Sequence, residues 1–411
     1  MEETSDIVVI DVVNNLGNYQ EIPVSGIVSE LEYIPLQTVD ECLIGNVNHL
    51  IVTSTHIFVT GSISLGNSVC YSFSRDGRFI GQIGRFGQGP GEYTTITGLS
   101  IDKKKQSLYI ETFRSLLEYS WDGVFHRSIN KLPNMGDGFV GEIFFIRDNL
   151  FIGHIPNYTG NEAYNFIIFS DDGQVIKSFD NHVKFERMEK WVSNHDRSMR
   201  PFNISQHIYV KEVTNDTLFL LNEQNELIPQ FVFSLGKYAY PQHLKEKNPF
   251  RLPSSANNDV IVVPALPMVG TQYHIFFSLG GGGSKSFPLP KGIVRNTTTP
   301  FGQNADMELN TPHGIYDITN KTTRLLDTDP VSRMSGLIND LDGGLSFWPK
   351  YYTSDNELVD VWQSYDMKEF LTEEYFAAHE IRNPQAHLKL KELLTNLDWE
   401  DNPVIVIATL K

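Results

Sequence analysis

Short runs of alternating apolar and polar residues recur along the chain, each about the length of one β-strand. Alternation with a period of two places successive side chains on opposite faces of an extended strand. Turn residues separate the runs, and three turns carry the dipeptide Asp-Gly, at Asp76-Gly77, Asp122-Gly123 and Asp172-Gly173. Asp-Gly between two alternating runs is a strong signal for a β-hairpin. The pattern therefore predicts an all-β chain built from repeated hairpins.

Each Asp-Gly turn occupies the same place in a repeated unit of four predicted strands. In the first unit the strands are Val47–Val52, His56–Gly61, Ser68–Ser74 and Arg78–Gly84. The units cover residues 47–84, 97–132, 139–179, 204–233, 273–327 and 336–362. An insertion at 279–312 interrupts the fifth unit, and the sixth has three predicted strands, Gly336–Ile338, Leu345–Tyr352 and Glu357–Trp362. Repeated four-strand units predict the radial sheets of a six-bladed β-propeller that forms a single domain.

A lone strand, Leu31–Leu36, precedes the first unit and has no neighbour of its own. We expect it to complete the sixth sheet, because closing the ring removes an exposed sheet edge. Residues 366–411 follow the last unit as a C-terminal addition that packs on the propeller. Asn383 and Pro384 predict the start of a helix there, because Asn is a favoured cap and Pro suits the first helical position. Pro403–Leu410 predicts a final strand, which we expect to pair with Ile7–Val12.

The charge balance limits the partners of this chain of 411 residues. It has 33 Lys and Arg against 50 Asp and Glu, a formal net charge of −17. Nucleic-acid affinity depends on basic side chains that neutralise phosphates, so we expect no nucleic-acid partner.

The apolar run Val404–Ala408 is far shorter than the roughly 20 residues that span a bilayer, so we expect no transmembrane segment. Two cysteines, Cys42 and Cys70, cannot form a disulfide framework. We expect a monomer with two buried thiols.

The segment Gly84–Tyr93 is the first candidate binding loop, since it joins the last strand of one unit to the first strand of the next. Its four glycines let backbone amides approach a ligand closely. The candidate ligand-binding side chains are Arg85, Gln88, Glu92 and Tyr93, which offer hydrogen bonds and an aromatic ring. In the alternative interpretation the glycines serve only a tight crossing between blades, and Glu92 accepts hydrogen bonds from its exposed amides.

The second candidate is the polar connection Asn181–Arg200 between the third and fourth units. Trp191, His195 and Arg197 lie within it. An indole ring with nearby cationic groups suits an anionic or carbohydrate ligand, through stacking and charge-assisted hydrogen bonds. The alternative is a solvated loop in which Trp191 packs on the body of the protein.

Asn339, Asp340 and Asp342 form an acidic turn that is the candidate metal site. Alternating oxygen-bearing side chains suit Ca²⁺, although the 12-residue calcium loop with its final bidentate Glu is missing. A structural turn, in which these oxygens accept nearby amide hydrogens, is the alternative. Calcium is the only cofactor that the sequence suggests.

Several motifs together resemble a known family. They are Tyr33-Ile34-Pro35-Leu36, Ile83-Gly84-Arg85-Phe86-Gly87-Gln88-Gly89-Pro90-Gly91-Glu92-Tyr93, Asn215-Asp216-Thr217-Leu218-Phe219, Asn339-Asp340-Leu341-Asp342-Gly343-Gly344, Phe347-Trp348-Pro349 and Asp401-Asn402-Pro403-Val404. In these motifs the chain resembles the six-bladed, TolB-like β-propeller family of predicted Bacteroidetes lipoproteins. The resemblance implies an exported, lipid-anchored protein in the periplasm or at the cell surface. It implies no catalytic residues, because the family has no assigned reaction.

The expected function is therefore binding rather than catalysis. A rigid ring that bears long loops, without a recognisable catalytic set, suits a cell-envelope propeller that binds a glycan, a peptide or a partner protein. The alternative is an enzyme at the mouth of the propeller channel, a hydrolase or lyase that acts on a carbohydrate with a bound cation.

Overall fold

The repeated hairpins form where the Asp-Gly dipeptides predict them. Gly77, Gly123 and Gly173 adopt left-handed φ angles of +87°, +83° and +87°, which glycine reaches without steric cost. Each turn is closed by backbone hydrogen bonds, such as that from Gly77 N to Ser74 O at 2.9 Å. The strand register shifts by one residue beside each of these turns. The same sequence signal thus produces the same bulged hairpin three times.

A computed structural model describes the chain at residues 7–62, 68–130, 140–157, 159–184, 201–211, 215–239, 261–282, 294–298, 304–308, 312–353 and 356–411. Three four-stranded antiparallel sheets follow one another in the first half of the chain. Sheet A contains Asn46–Val52 (β4), His56–Ser62 (β5), Ser68–Ser74 (β6) and Phe79–Gln82 (β7). Sheet B contains Gly98–Asp102 (β10), Ser107–Glu111 (β11), Ser115–Ser120 (β12) and Phe125–Asn130 (β13). Sheet C contains Gly141–Arg147 (β14), Leu150–His154 (β15), Tyr164–Ser170 (β16) and Val175–Asp180 (β17).

The second half of the chain forms a ten-stranded sheet, D, and a four-stranded sheet, E. One half of sheet D contains Phe202–Ile204 (β18), His207–Lys211 (β19), Thr217–Leu221 (β20) and Leu227–Ser234 (β21). Its other half contains Ile261–Gly270 (β22), His274–Gly282 (β23), His313–Asp317 (β26) and Thr322–Leu326 (β27). Short strand pairs lie outside these sheets, Arg85–Phe86 (β8) with Glu92–Tyr93 (β9) and Val294–Thr298 (β24) with Asn304–Glu308 (β25). Sheet E contains Tyr351–Tyr352 (β28), Glu357–Trp362 (β29) and Val404–Leu410 (β30), and its fourth strand is Val28–Pro35 (β3).

The N-terminal segment adds outer strands to three successive strand groups. Val8–Asp11 (β1) pairs in parallel with β21, Tyr19–Gln20 (β2) pairs in parallel with β27, and β3 pairs with β30. The expected pairing of the C-terminal strand with Ile7–Val12 is therefore wrong. β30 instead lies between β29 and β3, so the N-terminal strand joins sheet E through the C-terminal strand rather than directly.

Two of the strands predicted for the sixth unit are also corrected. Gly336–Ile338 and Leu345–Tyr352 contribute two isolated bridges, Leu337 with Phe347 and Ile338 with Pro23, and the short strand β28. In the fifth unit the inner strand β22 was not predicted, and β23 extends through Gly282 into the expected insertion.

Apolar clusters join each sheet to the next. The aromatic and branched side chains of adjacent sheets interdigitate, as expected when sheets pack face to face. The clusters join A to B (Phe58 with Leu108), B to C (Leu116 with Phe151), C to D (Ile152 with Val210), the halves of D (Phe233 with Phe277), D to E (Phe276 with Leu358) and E to A (Ile407 with Leu50). The chain is mostly β with a propeller-like arrangement of several sheets, and the all-β prediction is confirmed at that level.

Three short helices lie between β29 and β30. They are Ser364–Phe370 (α1), Glu373–Ala378 (α2) and Pro384–Asn396 (α3). α3 starts at Pro384, and the Asn383 side chain accepts a hydrogen bond from Ala386 N at 3.1 Å, which is the cap that its sequence predicts. The helices pack through Met367, Tyr375 and Leu390 on the cluster between D and E. Among the described residues, none of the helices has the length and hydropathy that a membrane span requires.

Candidate functional site

Glu92 organises the loop between sheets A and B. Its carboxylate accepts hydrogen bonds from Gly89 N at 2.8 Å and from Arg85 Nε at 2.6 Å. These two donors, the amide first, hold the pKa of Glu92 below its ordinary value. The carboxylate therefore serves the loop itself, as the structural interpretation requires. Arg85 and Gln88 are exposed to solvent beside it.

Tyr93 is a buried anchor rather than an open stacking surface. It is 1% exposed, and its hydroxyl donates to Ile83 O at 2.8 Å and accepts from Cys70 N at 3.1 Å. Tyr119 of sheet B donates to Gly91 O at 2.5 Å. The loop is thus fixed to both sheets by tyrosine hydroxyls, and the aromatic ring predicted to contact a ligand lies in the core. The other predicted loop residues, Trp191, His195 and Arg197, lie outside the described residues.

The acidic turn lies in a buried junction of three distant segments. Asp340 accepts hydrogen bonds from Ser25 N at 2.9 Å and Ser25 Oγ at 2.5 Å, and its carboxylate lies 3.0 Å from Arg382 Nε. Asp342 accepts from Tyr33 Oη at 2.9 Å on both of its oxygens. Ser25 and Tyr33 belong to the N-terminal segment, and Arg382 precedes α3.

Two further hydrogen bonds within the turn reach the same carboxylate. Asn339 Nδ2 and Gly344 N donate to Asp342 Oδ1 at 2.7 and 2.9 Å. Asp342 is fully buried, and this burial raises the pKa of its carboxyl. Asn339, Asp340 and Asp342 therefore stand together, as the sequence predicts, but their oxygens face protein donors. This is the geometry that the structural alternative requires.

A buried histidine beside this junction was not predicted from the sequence. His379 Nε2 lies 2.6 Å from Asp329 Oδ2, and its Nδ1 lies 2.7 Å from Tyr375 O. Both ring nitrogens face acceptors, so each must carry a proton and the ring is cationic. The hydrogen bond to Asp329 is the main cause that raises the pKa of His379. The pair is a buried salt bridge. No local sequence pattern around His379 indicates it, because Asp329 is 50 residues away.

A second polar set lies on the first strands of the sheets. His49 on β4, Glu142 on β14 and Asn203 on β18 are half-buried. Half-buried apolar residues, Ile51 and Phe144 among them, share these strands. His49 Nδ1 lies 2.7 Å from Thr60 Oγ1, which orients the imidazole. The first strands of neighbouring sheets, such as β4 with β10 and β10 with β14, are in contact. The first strands of the sheets therefore carry both polar and apolar side chains that are partly exposed.

Burial keeps two histidines and both cysteines of the described part of the chain in their neutral forms. No group of three or more His, Cys, Asp or Glu side chains is arranged there to hold a metal ion. His154 and His313 are held neutral, since burial lowers the pKa of each to about 3. The two cysteines are buried, and burial raises the pKa of Cys42 to about 12. These groups are poor nucleophiles and poor acid catalysts at neutral pH.

Two solved structures resemble the whole chain. A Bacteroides fragilis protein that is inferred to be exported has 17% identity and a TM-score of 0.68, over 98% of this chain and 99% of that one. A member of the DUF4221 family from Bacteroides vulgatus has 9% identity and a TM-score of 0.50, over 95% of this chain and 98% of that one. Identities this low show a shared fold alone. No curated protein matches the chain. Residues 7–409 match the family described as "Domain of unknown function (DUF4934)", and the chain therefore belongs to that family.

Proposed function

We propose that this chain forms a closed six-bladed propeller that binds a neutral glycan without cleaving it. The six apolar clusters support the ring, since each joins one strand group to the next and the last joins sheet E to sheet A. In such a ring the first strand of every blade surrounds the central axis. His49, Glu142 and Asn203 would then stand around one axial cavity.

The observation that carries the ligand class is the pairing of polar and apolar side chains on these inner strands. Imidazole, carboxylate and amide groups hydrogen-bond to sugar hydroxyls. Phe144 and Ile51 pack in part against the clusters between the sheets, and their exposed parts supply an apolar surface for the less polar face of a sugar ring. The net charge of −17 opposes polyanionic ligands, which favours a neutral glycan. The buried carboxylates of the acidic turn already bond within the protein, which favours binding over catalysis.

An array of neutral oligosaccharides, followed by calorimetric titration of the best ligand, tests this proposal. We expect His49→Ala and Asn203→Ala each to raise Kd about tenfold or more, the equivalent of about 1.4 kcal/mol. His126→Ala is the matched control, because His126 is exposed on the outer strand β13 and should leave Kd unchanged. Wild-type affinity in both inner-strand variants would contradict the axial site. Loss of binding in Arg85→Ala or Trp191→Ala instead would move the site to the loops, and turnover of the bound glycan would favour the enzyme alternative.

We also propose an envelope location with a lipid anchor. The resemblance to predicted lipoproteins supports it, as does the shared fold with a Bacteroides fragilis protein inferred to be exported. Expression of the native gene with its own upstream sequence in a Bacteroides host, labelling with a clickable fatty acid and cell fractionation test it. A labelled protein in the membrane fraction is expected, and an unlabelled protein in the cytoplasmic fraction would exclude the anchor.

A further inference from the structure

The face of sheet B that packs against sheet C carries an unusual set of oxygen atoms. Strand register places Tyr109 opposite Ser100 and Glu118, and it places Asp102 opposite Ser107. Cross-strand partners share one face of a sheet, and alternate residues along a strand share it too. All five side chains therefore project from the same face, where Tyr109 contacts Phe145 and Phe151 of sheet C.

Two of these hydroxyls are buried without a partner. Tyr109 is 1% exposed and Ser100 is 4% exposed, and neither the Tyr109 hydroxyl nor Ser100 Oγ has a hydrogen-bond partner among the described residues. A buried hydroxyl that loses its hydrogen bonds to water destabilises the folded state by about 1–3 kcal/mol. An occupant that bonds to both oxygens would remove this penalty.

Two carboxylates, Asp102 and Glu118, lie on the same face of sheet B as these hydroxyls. Ser107 Oγ donates to Glu118 Oε1 at 2.9 Å, and both backbone amides that cap Asp102 bond to Oδ1 alone. Burial first, and then the charges of Glu118 and Asp102, raise the pKa of Tyr109 well above its usual range. The neutral hydroxyl thus shares its space with two acidic groups, both themselves buried.

The equivalent positions of sheet C are apolar. Ile152 lies opposite Phe144 and Ile168 there, as Tyr109 lies opposite Ser100 and Glu118 in sheet B. Ile152 and Ile168 form part of the apolar cluster between sheets C and D, with Phe144 packed against it. Packing between sheets therefore needs no polar group at these positions, and a separate reason is required for the oxygens of sheet B.

We propose that a calcium ion binds between sheets B and C, with Asp102, Glu118, Ser100, Ser107 and Tyr109 supplying its oxygen ligands. Calcium prefers such hard oxygen donors and tolerates neutral ligands beside carboxylates. Arg127 lies 2.7 Å from Glu118 Oε2 and 2.6 Å from Asp171 Oδ2, so one guanidinium pairs with two carboxylates, and the buried Asp102 adds a third negative charge to this face of sheet B. A bound cation would balance this excess of negative charge. The adjacent Lys103, Lys104 and Lys105 are exposed in the hairpin, where water and salt screen their repulsion.

Calcium titration of chelator-treated protein at constant ionic strength tests the proposal, by melting temperature and by calorimetry. We expect binding of one ion and a melting temperature that rises with the logarithm of Ca²⁺ above Kd. Asp102→Asn should abolish the rise. Two matched controls should retain it: Asp122→Asn, an exposed carboxylate of the same sheet, and Asp340→Asn in the acidic turn.

Each outcome decides between occupants. Absence of both heat and a melting shift in the wild type would overturn the proposal, whatever the variants do, and would leave an internal water as the occupant. A shift that Asp340→Asn abolishes and Asp102→Asn retains would place the ion in the acidic turn instead. If Asp102→Asn does not fold, Tyr109→Phe replaces it, since loss of one neutral ligand should weaken Ca²⁺ binding several-fold without removing a charge.

Discussion

Tyr33 and Asp342 show how a polar contact can hold distant segments together. The Tyr33 hydroxyl bonds to both oxygens of the fully buried Asp342 carboxylate. A hydrogen bond to a charged group is worth more than a neutral one, and the loss of one partner leaves the other buried and unsatisfied. We therefore expect this pair to contribute to the stability of the junction.

Tyr33→Phe should therefore lower the free energy of unfolding by about 1–3 kcal/mol. Urea denaturation followed by circular dichroism measures this change. Tyr273→Phe provides the control, because Tyr273 is 45% exposed and its substitution should change stability by less than about 0.5 kcal/mol. Equal stabilities for the two variants would show that Asp342 finds another donor.

His379 predicts a pH dependence in the neutral to alkaline range. Its pKa is raised in the folded protein, so its salt bridge with Asp329 stabilises fully below the unfolded pKa of about 6.5. This contribution is lost as pH rises through the folded pKa. We expect the free energy of unfolding to fall by about 1.4 kcal/mol for each unit by which the folded pKa exceeds the unfolded one.

Unfolding curves between pH 6 and pH 9 measure this loss. His379→Gln should be less stable at pH 6 and should show a flatter profile, whereas His126→Gln should follow the wild type because His126 is exposed. A wild-type slope in His379→Gln would assign the pH dependence to another group.

At the scale of elements, turns with the same sequence and backbone conformation are packed differently. Gly77 and Gly123 have nearly the same positive φ and the same Asp-Gly sequence. A Cβ atom on Gly77 would lie 2.3 Å from Pro35 O, on the last residue of β3, whereas the nearest atom to a Cβ on Gly123 is a side-chain carbon at 3.7 Å. The hairpin turn of sheet A therefore packs directly on the backbone of β3, whereas a methyl group at the turn of sheet B would meet no atom closer than 3.7 Å.

Gly123→Ala should cost about 1 kcal/mol, the price of a left-handed conformation for a residue with Cβ. Gly77→Ala should cost clearly more, because the backbone of β3 must also move. Thermal unfolding of both variants compares the cost of the left-handed backbone conformation alone with that cost plus the displacement of β3. Equal losses would show that the hairpin of sheet A shifts freely and that β3 does not constrain it.

At the scale of the whole molecule, the two ends of the chain meet in one sheet. β30 supplies backbone partners to β29 on one side and to β3 on the other, and Val404–Ile407 is buried. Sheet E cannot form until the last residues of the chain are present. Formation of sheet E therefore depends on contacts between residues that are hundreds of positions apart, such as Leu31 with Ala408.

Deletion of residues 404–411 should abolish cooperative unfolding and cause aggregation, because it removes buried apolar area and exposes two strand edges. Size-exclusion chromatography and a thermal melt measure both effects. Lys411→Ala, which changes only an exposed side chain and keeps the backbone hydrogen bond to Ile27 O, should leave the melt unchanged. A soluble truncated protein with the wild-type melting temperature would refute this role for β30.

Local chemistry determined the repeated parts of this protein. Alternating runs and Asp-Gly turns predict the hairpins of sheets A, B and C, and Asn383-Pro384 predicts the start of α3, because each depends on neighbours within a few residues. The oxygen-rich turn at Asn339–Asp342 is also visible as a cluster. The predicted loop residues at Trp191, His195 and Arg197 stay a prediction, since they lie outside the described residues.

Only the tertiary structure decided which strands pair across the chain and what the polar clusters do. Backbone donors and acceptors are chemically the same in every strand, so they do not specify which strands pair. The predicted pairing of β30 with the first N-terminal strand is wrong for this reason. The bonds of Asp340 and Asp342 depend on Ser25 and Tyr33, which are more than 300 residues away in sequence. The oxygen-bearing side chains of sheet B form a candidate ion site only because the strand register places them on one buried face. A side chain's chemistry is set by its neighbours, and distant neighbours are chosen by the fold.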